Sequence, residues 1–333
     1  MYTRAIKIYQ KACIKNIKYT IFCVLLVVYL AVWFWVKNKE EPSGALSAKR
    51  NYFVPLQLSG FSQANIPYLM VDIDKRQFNA QIDLGFSGYV SLPPNVWANI
   101  TEKKFLKCVS RYGVAGKLYQ HELYQVKNIH IQKMNFSPVL VEELKVEWEA
   151  DINLGELKEG PEPEFGRIGW YLFRSFNLLI DAKHSMLALC DGLQTLRSEG
   201  YPVESFVSIP LLLDRGLLEF EAVTSSGKLR CVLDTGSTLN LLNKHENEKL
   251  GCIDDHAIIN PNNQNLMQFE WNNKCELANY IVGDKEFGPI TFNQIKSPVA
   301  FEAIMGIDFF ESHLVFVDFK QQRLYLYKYP EEE

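Results

Sequence analysis

The sequence predicts an all-β protein of two tandem, equivalent halves preceded by one membrane-spanning helix, and three observations carry that prediction. From residue 51 onward, short runs of β-branched and aromatic residues are interrupted by Gly, Asn and Pro, as at 68–73, 128–131, 217–223 and 279–282, while long amphipathic helical patterns are scarce. A pattern that opens on an Asp turn and closes on an apolar strand occurs once before residue 193 and once after residue 207. Near the start lies an uncharged apolar run with no polar face.

Taken in order, residues 1–18 carry Arg4, Lys7, Lys11, Lys15 and Lys18 and no acid. Residues 19–36 are rich in Val, Leu, Ile and aromatics. As a helix this run spans about 27 Å, enough for a bilayer core. The basic bias ahead of it predicts a cytoplasmic N-terminus, a signal anchor at 19–36, a linker at 37–50 and an exported, periplasmic or otherwise extracytoplasmic, main domain. A cleaved signal peptide is the alternative, since Leu46-Ser47-Ala48 offers small residues near a cut. Against it, the run exceeds the roughly 7–15 apolar residues of such peptides, and charged residues separate it from that site.

The halves are read as residues 51–193 and 207–330, joined by a linker at 194–206. Gly169 and Gly306 each precede an Asp, Asp181 and Asp318, by 12 positions. Phe173 matches Phe310 and Ser175 matches Ser312 within those segments. Each is followed by a polar turn and an apolar strand, and each half opens alike, with Val54-Pro55-Leu56-Gln57-Leu58 against Ile209-Pro210-Leu211-Leu212-Leu213. Short helices are expected at 96–100 and 244–250, and helical turns at 172–175 and 309–312. An acidic run at 142–164 lengthens the first half; it reads as a solvated loop, with a lid as the alternative.

The chemistry gathers at Asp83-Leu84-Gly85-Phe86-Ser87 and Val232-Leu233-Asp234-Thr235-Gly236-Ser237, answered by Ile168-Gly169 and Ile304-Met305-Gly306. Two carboxylates that share one proton can act together as base and acid, because like charges in close contact do not both ionise easily. A Gly beside each lets backbone approach the carboxylate and donate N–H groups, and a Thr hydroxyl can bond across to the other loop. Leu84 has no hydroxyl, and Phe86 stands where a donor could.

This set resembles the retropepsin-like and pepsin-like aspartic proteases (clan AA) over residues 50–329, and the run 86–93 is similar to bacterial members, which tolerate an aromatic after the Gly. The resemblance implies retropepsin-like, β-barrel-like halves in a bilobal pepsin-like arrangement, with a cleft between them beneath a hairpin flap. It implies catalytic Asp83 and Asp234, supported by Gly85, Thr235, Gly236 and Ser237, with flap candidates Tyr112, Gly113 and Gly116. An ordinary hairpin is the plainer reading of that last segment. The implied activity is a membrane-anchored aspartic endopeptidase acting on polypeptide, needing no cofactor or metal, as a monomeric two-lobe unit. The departure at Leu84 keeps open an inactive homologue that binds peptides or assembles with a partner.

A net charge of −4 gives no electrostatic reason to expect nucleic acid. The six histidines form no constellation with Ser or Cys and read as surface or turn residues. Cys231 reads as a small core residue, and a Cys252–Cys275 disulfide is left open.

Overall fold

The computed structural model describes residues 52–59, 66–112, 118–144, 165–214, 216–246, 250, 268–296 and 301–330. The expected anchor at 19–36 and its flanks lie outside the described residues. Among the described residues no helix is long and apolar enough to cross a membrane.

Among the described residues the strands form three sheets. The first half folds into nine strands, in the order Lys103–Tyr112, Leu118–Val126, Val139–Glu143, Val90–Leu92, Gly166–Gly169, Arg76–Asp83, Tyr68–Ile73, Ile129–Ile131 and Met134–Phe136. The second half gives eight, in the order Gln268–Leu277, Ile290–Lys296, Leu241–Asn243, Ala303–Met305, Gly227–Leu233, Glu219–Thr224, Tyr280–Val282 and Lys285–Phe287. Read from the far edges the two orders match strand for strand, and the first half adds Lys103–Tyr112 outside. Both halves contribute to a third sheet of six strands, Phe53–Gln57, Met186–Cys190, Asn177–Asp181, His313–Asp318, Arg323–Lys328 and Val207–Pro210.

The six-stranded sheet joins the halves at its centre, where Leu178, Leu179 and Ile180 pair antiparallel with Val317, Phe316 and Val315. Asn177–Asp181 and His313–Asp318 are buried along their whole length. That is why both read as unbroken apolar runs instead of alternating ones. Phe173 and Phe310, matched in the sequence repeat, are both fully buried.

In Arg76–Asp83 alternation does the positioning: Phe78, Ala80 and Ile82 enter the core, so Gln81 and Asp83 face the other way. Gly166–Gly169 runs parallel beside this strand with Gly169 opposite Asp83. The second half repeats the arrangement, with Ala303–Met305 parallel to Gly227–Leu233. The apolar-apolar-Gly segments therefore pass directly behind the Asp turns.

Short helices fall at Pro94–Trp97 and Ile307–Ser312, and tight 3-10 turns at Trp170–Leu172 and Lys244–Glu246, each close to an expected position. Two expectations need correction. The linker at 194–206 contains the end of a helix, Leu193–Ser198, and a turn at Val203–Ser205, and it buries Leu196 and Val203 against Phe316 and Tyr325. The acidic run does not begin as a solvated loop, because Glu142 lies within the strand Val139–Glu143 and is 1% exposed, while residues 145–164 lie outside the described residues. Cys231 is a buried free thiol, Cys275 is disulfide-bonded, and Cys252 lies outside the described residues.

Candidate active site

Each Asp sits where its strand ends and the chain turns back: the Phe86 N–H donates to the Asp83 carbonyl, and the Ser237 N–H to the Asp234 carbonyl. Close approach then dictates glycine. A Cβ on Gly85 would lie 2.5 Å from the Asp234 carboxyl carbon, and one on Gly236 would lie 2.7 Å from that of Asp83. Behind the turns the restriction is tighter still, since a Cβ on Gly169 would meet the Gly88 carbonyl oxygen at 2.2 Å and one on Gly306 the Leu239 oxygen at 2.2 Å. The spacing of motif to distant Gly in the sequence is thus a record of two segments of the chain crossing in contact.

The loops bond across to each other. The Thr235 hydroxyl donates to the Ile82 carbonyl at 2.6 Å and accepts from the Leu84 N–H at 3.2 Å. The Gly85 N–H reaches over to Asp234 Oδ1 at 3.2 Å, and the Gly236 N–H donates to the same oxygen at 2.8 Å. The two carboxyls meet at Gly236, where an added Cβ would lie 2.7 Å from the Asp83 carboxyl carbon and 3.0 Å from Asp234 Oδ1. Withdrawal from water, and then the charge of Asp83, push the Asp234 carboxyl well above the ordinary carboxylate range, against the opposing pull of the Gly236 and Gly85 amides. The structure therefore brings Asp83, Asp234, Gly85, Thr235 and Gly236 together.

Ser237 is placed differently from expectation. Its hydroxyl donates to the Leu239 carbonyl at 2.7 Å and its carbonyl accepts from the Ile307 N–H, so it braces the turn from below and makes none of the bonds between the loops. Leu84 is fully buried in the main core, so the missing hydroxyl is replaced by packing. Tyr112 ends the first strand of a hairpin, paired with Leu118 on the second. Gly113 and Gly116 lie outside the described residues.

Around Phe86 the structure assembles a group that the motifs did not announce. Phe86 is buried with Tyr119 and Leu144. The Arg111 guanidinium lies 5.0 Å from its ring centre and that of Arg167 lies 5.9 Å away. Arg167 Nε is 3.1 Å from Asp83 Oδ2. Arg111 Nη2 is 3.2 Å from Glu142 Oε2, while the Ser91 hydroxyl donates to Glu142 Oε1 at 3.1 Å and His121 adjoins the same carboxylate. His121 and His313 are both buried, which corrects their reading as surface or turn residues. One signal could have found Arg167: laying the repeats together sets it against Ile304, a charge where the other half has an apolar side chain. A cavity of about 720 Å³, lined by Asn240, Tyr280, Asp308 and His313 among others, opens in the second half and contains neither Asp of the pair.

The architecture and the paired loops define a two-lobed all-β protein with two carboxylates at the junction of its halves. Among solved structures the chain is similar to an aspartic proteinase from Irpex lacteus, at 13% identity and a TM-score of 0.49, over 83% of this chain and 97% of that one. It is also similar to basic 7S globulin from soybean, at 13% identity and a TM-score of 0.47, over 82% of this chain and 94% of that one. No protein-family profile and no curated protein matches the sequence. These likenesses concern the fold alone.

Proposed function

We propose that the chain is a membrane-anchored aspartic endopeptidase whose dyad is Asp83 and Asp234. The observation that carries this reading is the close approach of the two carboxyls about Gly236, held by loops that exchange bonds in both directions. One carboxylate accepts a proton from a water whose oxygen forms the bond to the peptide carbonyl carbon. The other carboxyl gives its proton to the carbonyl oxygen. Collapse of the tetrahedral intermediate breaks the C–N bond as a proton passes to the leaving amine, and the pair returns to sharing one proton. Both carboxyls come from one chain, so a monomer is sufficient. The substrate is an extended polypeptide lying across the junction of the halves beneath the hairpin of Lys103–Tyr112 and Leu118–Val126.

The test is hydrolysis of a mixed peptide library by the full chain, with Asp83→Asn and Asp234→Asn beside the wild type. Each variant is expected to keep its fold and lose cleavage. Full activity in Asp83→Asn would remove the intrachain pair from consideration. A statine-type inhibitor should raise the melting temperature of the wild type above that of either variant, because its hydroxyl stands in for the attacking water.

A second reading, a peptide-binding relic, draws on Leu84, which leaves Thr235 as the single hydroxyl between the loops. Inhibitor binding without cleavage at any pH from about 3 to 7 would select it. The anchor at 19–36 and export of the remainder rest on the sequence; a reporter fused after Glu333 is expected outside the cytoplasm, with the mature chain retaining its N-terminus. A mature chain beginning near Ala48 would show a cleaved signal instead.

A further inference from the structure

The two carboxyls are held by unlike means. Asp234 Oδ1 receives two neutral amides, from Gly85 and Gly236, whereas Asp83 Oδ2 faces a full positive charge on Arg167. We propose that Arg167 is a positioning residue that holds Asp83 as the ionised, proton-accepting member of the pair and leaves the shared proton on Asp234.

Three observations support the assignment. The Arg167–Asp83 contact of 3.1 Å is shielded, with side chains 17% and 15% exposed, so the attraction is screened far less than on an open surface. The ion pair favours a negative Asp83 more strongly than neutral amides favour a negative Asp234. With both amides on Oδ1, Asp234 also keeps Oδ2 for the proton, the arrangement a neutral carboxylic acid needs when it accepts through one oxygen and donates through the other.

The second observation is a difference between the halves. Arg167 and Ile304 occupy the same place, two residues before the glycine that passes behind the Asp turn. They also share a register, Arg167 opposite Gln81 and Ile304 opposite Val232, each partner lying two residues before its Asp. Ile304 packs with Val232, Leu241, Ile295 and Phe301. An otherwise matched pair of lobes is thus made unlike at the position that touches the dyad.

The third is the wall around the guanidinium. Phe86, seated on Tyr119 and Leu144, offers its ring to Arg167, which accounts for an aromatic where a polar donor could have stood. Arg111 offers no competing cation to Asp83, since Glu142 pairs with it, with His121 adjoining that carboxylate. Among the described residues the charged groups placed around Asp83 are then Asp234 and Arg167, with the Arg111–Glu142–His121 group beyond Phe86.

The catalytic consequence rests on the peptidase reading, so the experiment reads the carboxyls directly. An ionised carboxylate opens an epoxide to form an ester, whereas a diazoacetyl ester takes the proton of a neutral carboxyl, loses dinitrogen and esterifies it. The full chain is treated with each reagent at pH 6 and labelled peptides are counted by mass spectrometry. The epoxide is expected to favour Asp83, and the diazo reagent Asp234, by about tenfold or more. Arg167→Gln should erase this preference and Arg167→Lys should keep it. Equal labelling of the two residues in the wild type, or an unchanged preference in a folded Arg167→Gln, overturns the assignment. Selective labelling in a protein that cleaves nothing would retain Arg167 as the positioning residue and sink the peptidase reading alone.

Discussion

Thr235 makes with one hydroxyl the contacts that tie its loop to Ile82 and Leu84, and it is 1% exposed. Thr235→Val keeps shape and removes both bonds, leaving a buried carbonyl and a buried N–H unsatisfied. The expected loss is about 2–6 kcal/mol, at about 1–3 for each stranded group. Leu84→Thr tests the other side of the same junction. Losing buried carbon at about 0.8 kcal/mol per methylene, and placing a hydroxyl in the core, it is expected to cost about 2–4 kcal/mol with no gain in cleavage. Urea midpoints of the two variants, with peptide hydrolysis alongside, check both; a stable Leu84→Thr that cleaves faster would show that the hydroxyl had found partners. At this scale Asp83, Asp234, Thr235 and the glycines were legible because their chemistry is local and repeated. Arg167 was not, because its role depends on which atom it meets across a parallel strand pair, and no spacing along the chain encodes that. Ser237 looked like a donor to the pair but turned its hydroxyl to Leu239 two residues on, the usual local competition of a short polar side chain.

The strand Lys103–Tyr112, hairpinned to Leu118–Val126, is the element that sets the first half apart among the described residues. Its Arg111 is fixed by Glu142 on Val139–Glu143, a strand that pairs with Leu118–Val126. Glu142→Ala strands a nearly buried guanidinium and is expected to cost about 3–5 kcal/mol. Arg111→Met combined with Glu142→Ala should recover much of that loss, and a double-mutant cycle on thermal unfolding reads the coupling. Additive losses would show that the two side chains do not depend on each other. The strands themselves were legible from alternation and from Gly and Pro breaks. The buried carboxylate was not: Glu142 opens a strongly acidic stretch, and composition there outweighed the apolar residues just before it. The helix Leu193–Ser198 was missed for a similar reason, since a short polar-faced turn between two repeats reads as linker until Leu196 is seen to be buried.

For the whole molecule, the matched strand orders and the shared six-stranded sheet follow from the repeat, which is why the architecture was legible with no single strong element. The pH dependence of stability was not, since it arises from burial. His313 is held by the Phe309 carbonyl at its Nδ1 and faces the Tyr280 hydroxyl at Nε2; loss of water lowers its pKa to about 4, with nearby Lys328 adding to the shift. As pH falls below its unfolded value of about 6.5, the unfolded chain takes up the proton first, so His313 withdraws stability between about 6.5 and 4. Asp234 acts in the opposite sense. Its folded pKa is raised, so as pH climbs above the ordinary carboxylate range the unfolded chain releases a proton that the folded site retains, and stability declines with rising pH. The wild-type-minus-His313→Gln difference in unfolding free energy is therefore expected to grow from about pH 4 to about pH 6.5 and level off above it. The wild-type-minus-Asp234→Asn difference should shrink steadily with rising pH. Urea titrations of the three proteins at half-unit steps from pH 4 to 8 decide it. A flat His313→Gln difference would mean that the imidazole binds its proton as readily inside the fold as in the unfolded chain, and an Asp234→Asn difference that grows with pH would mean that the folded pair retains no shared proton, which removes the proton assigned to Asp234.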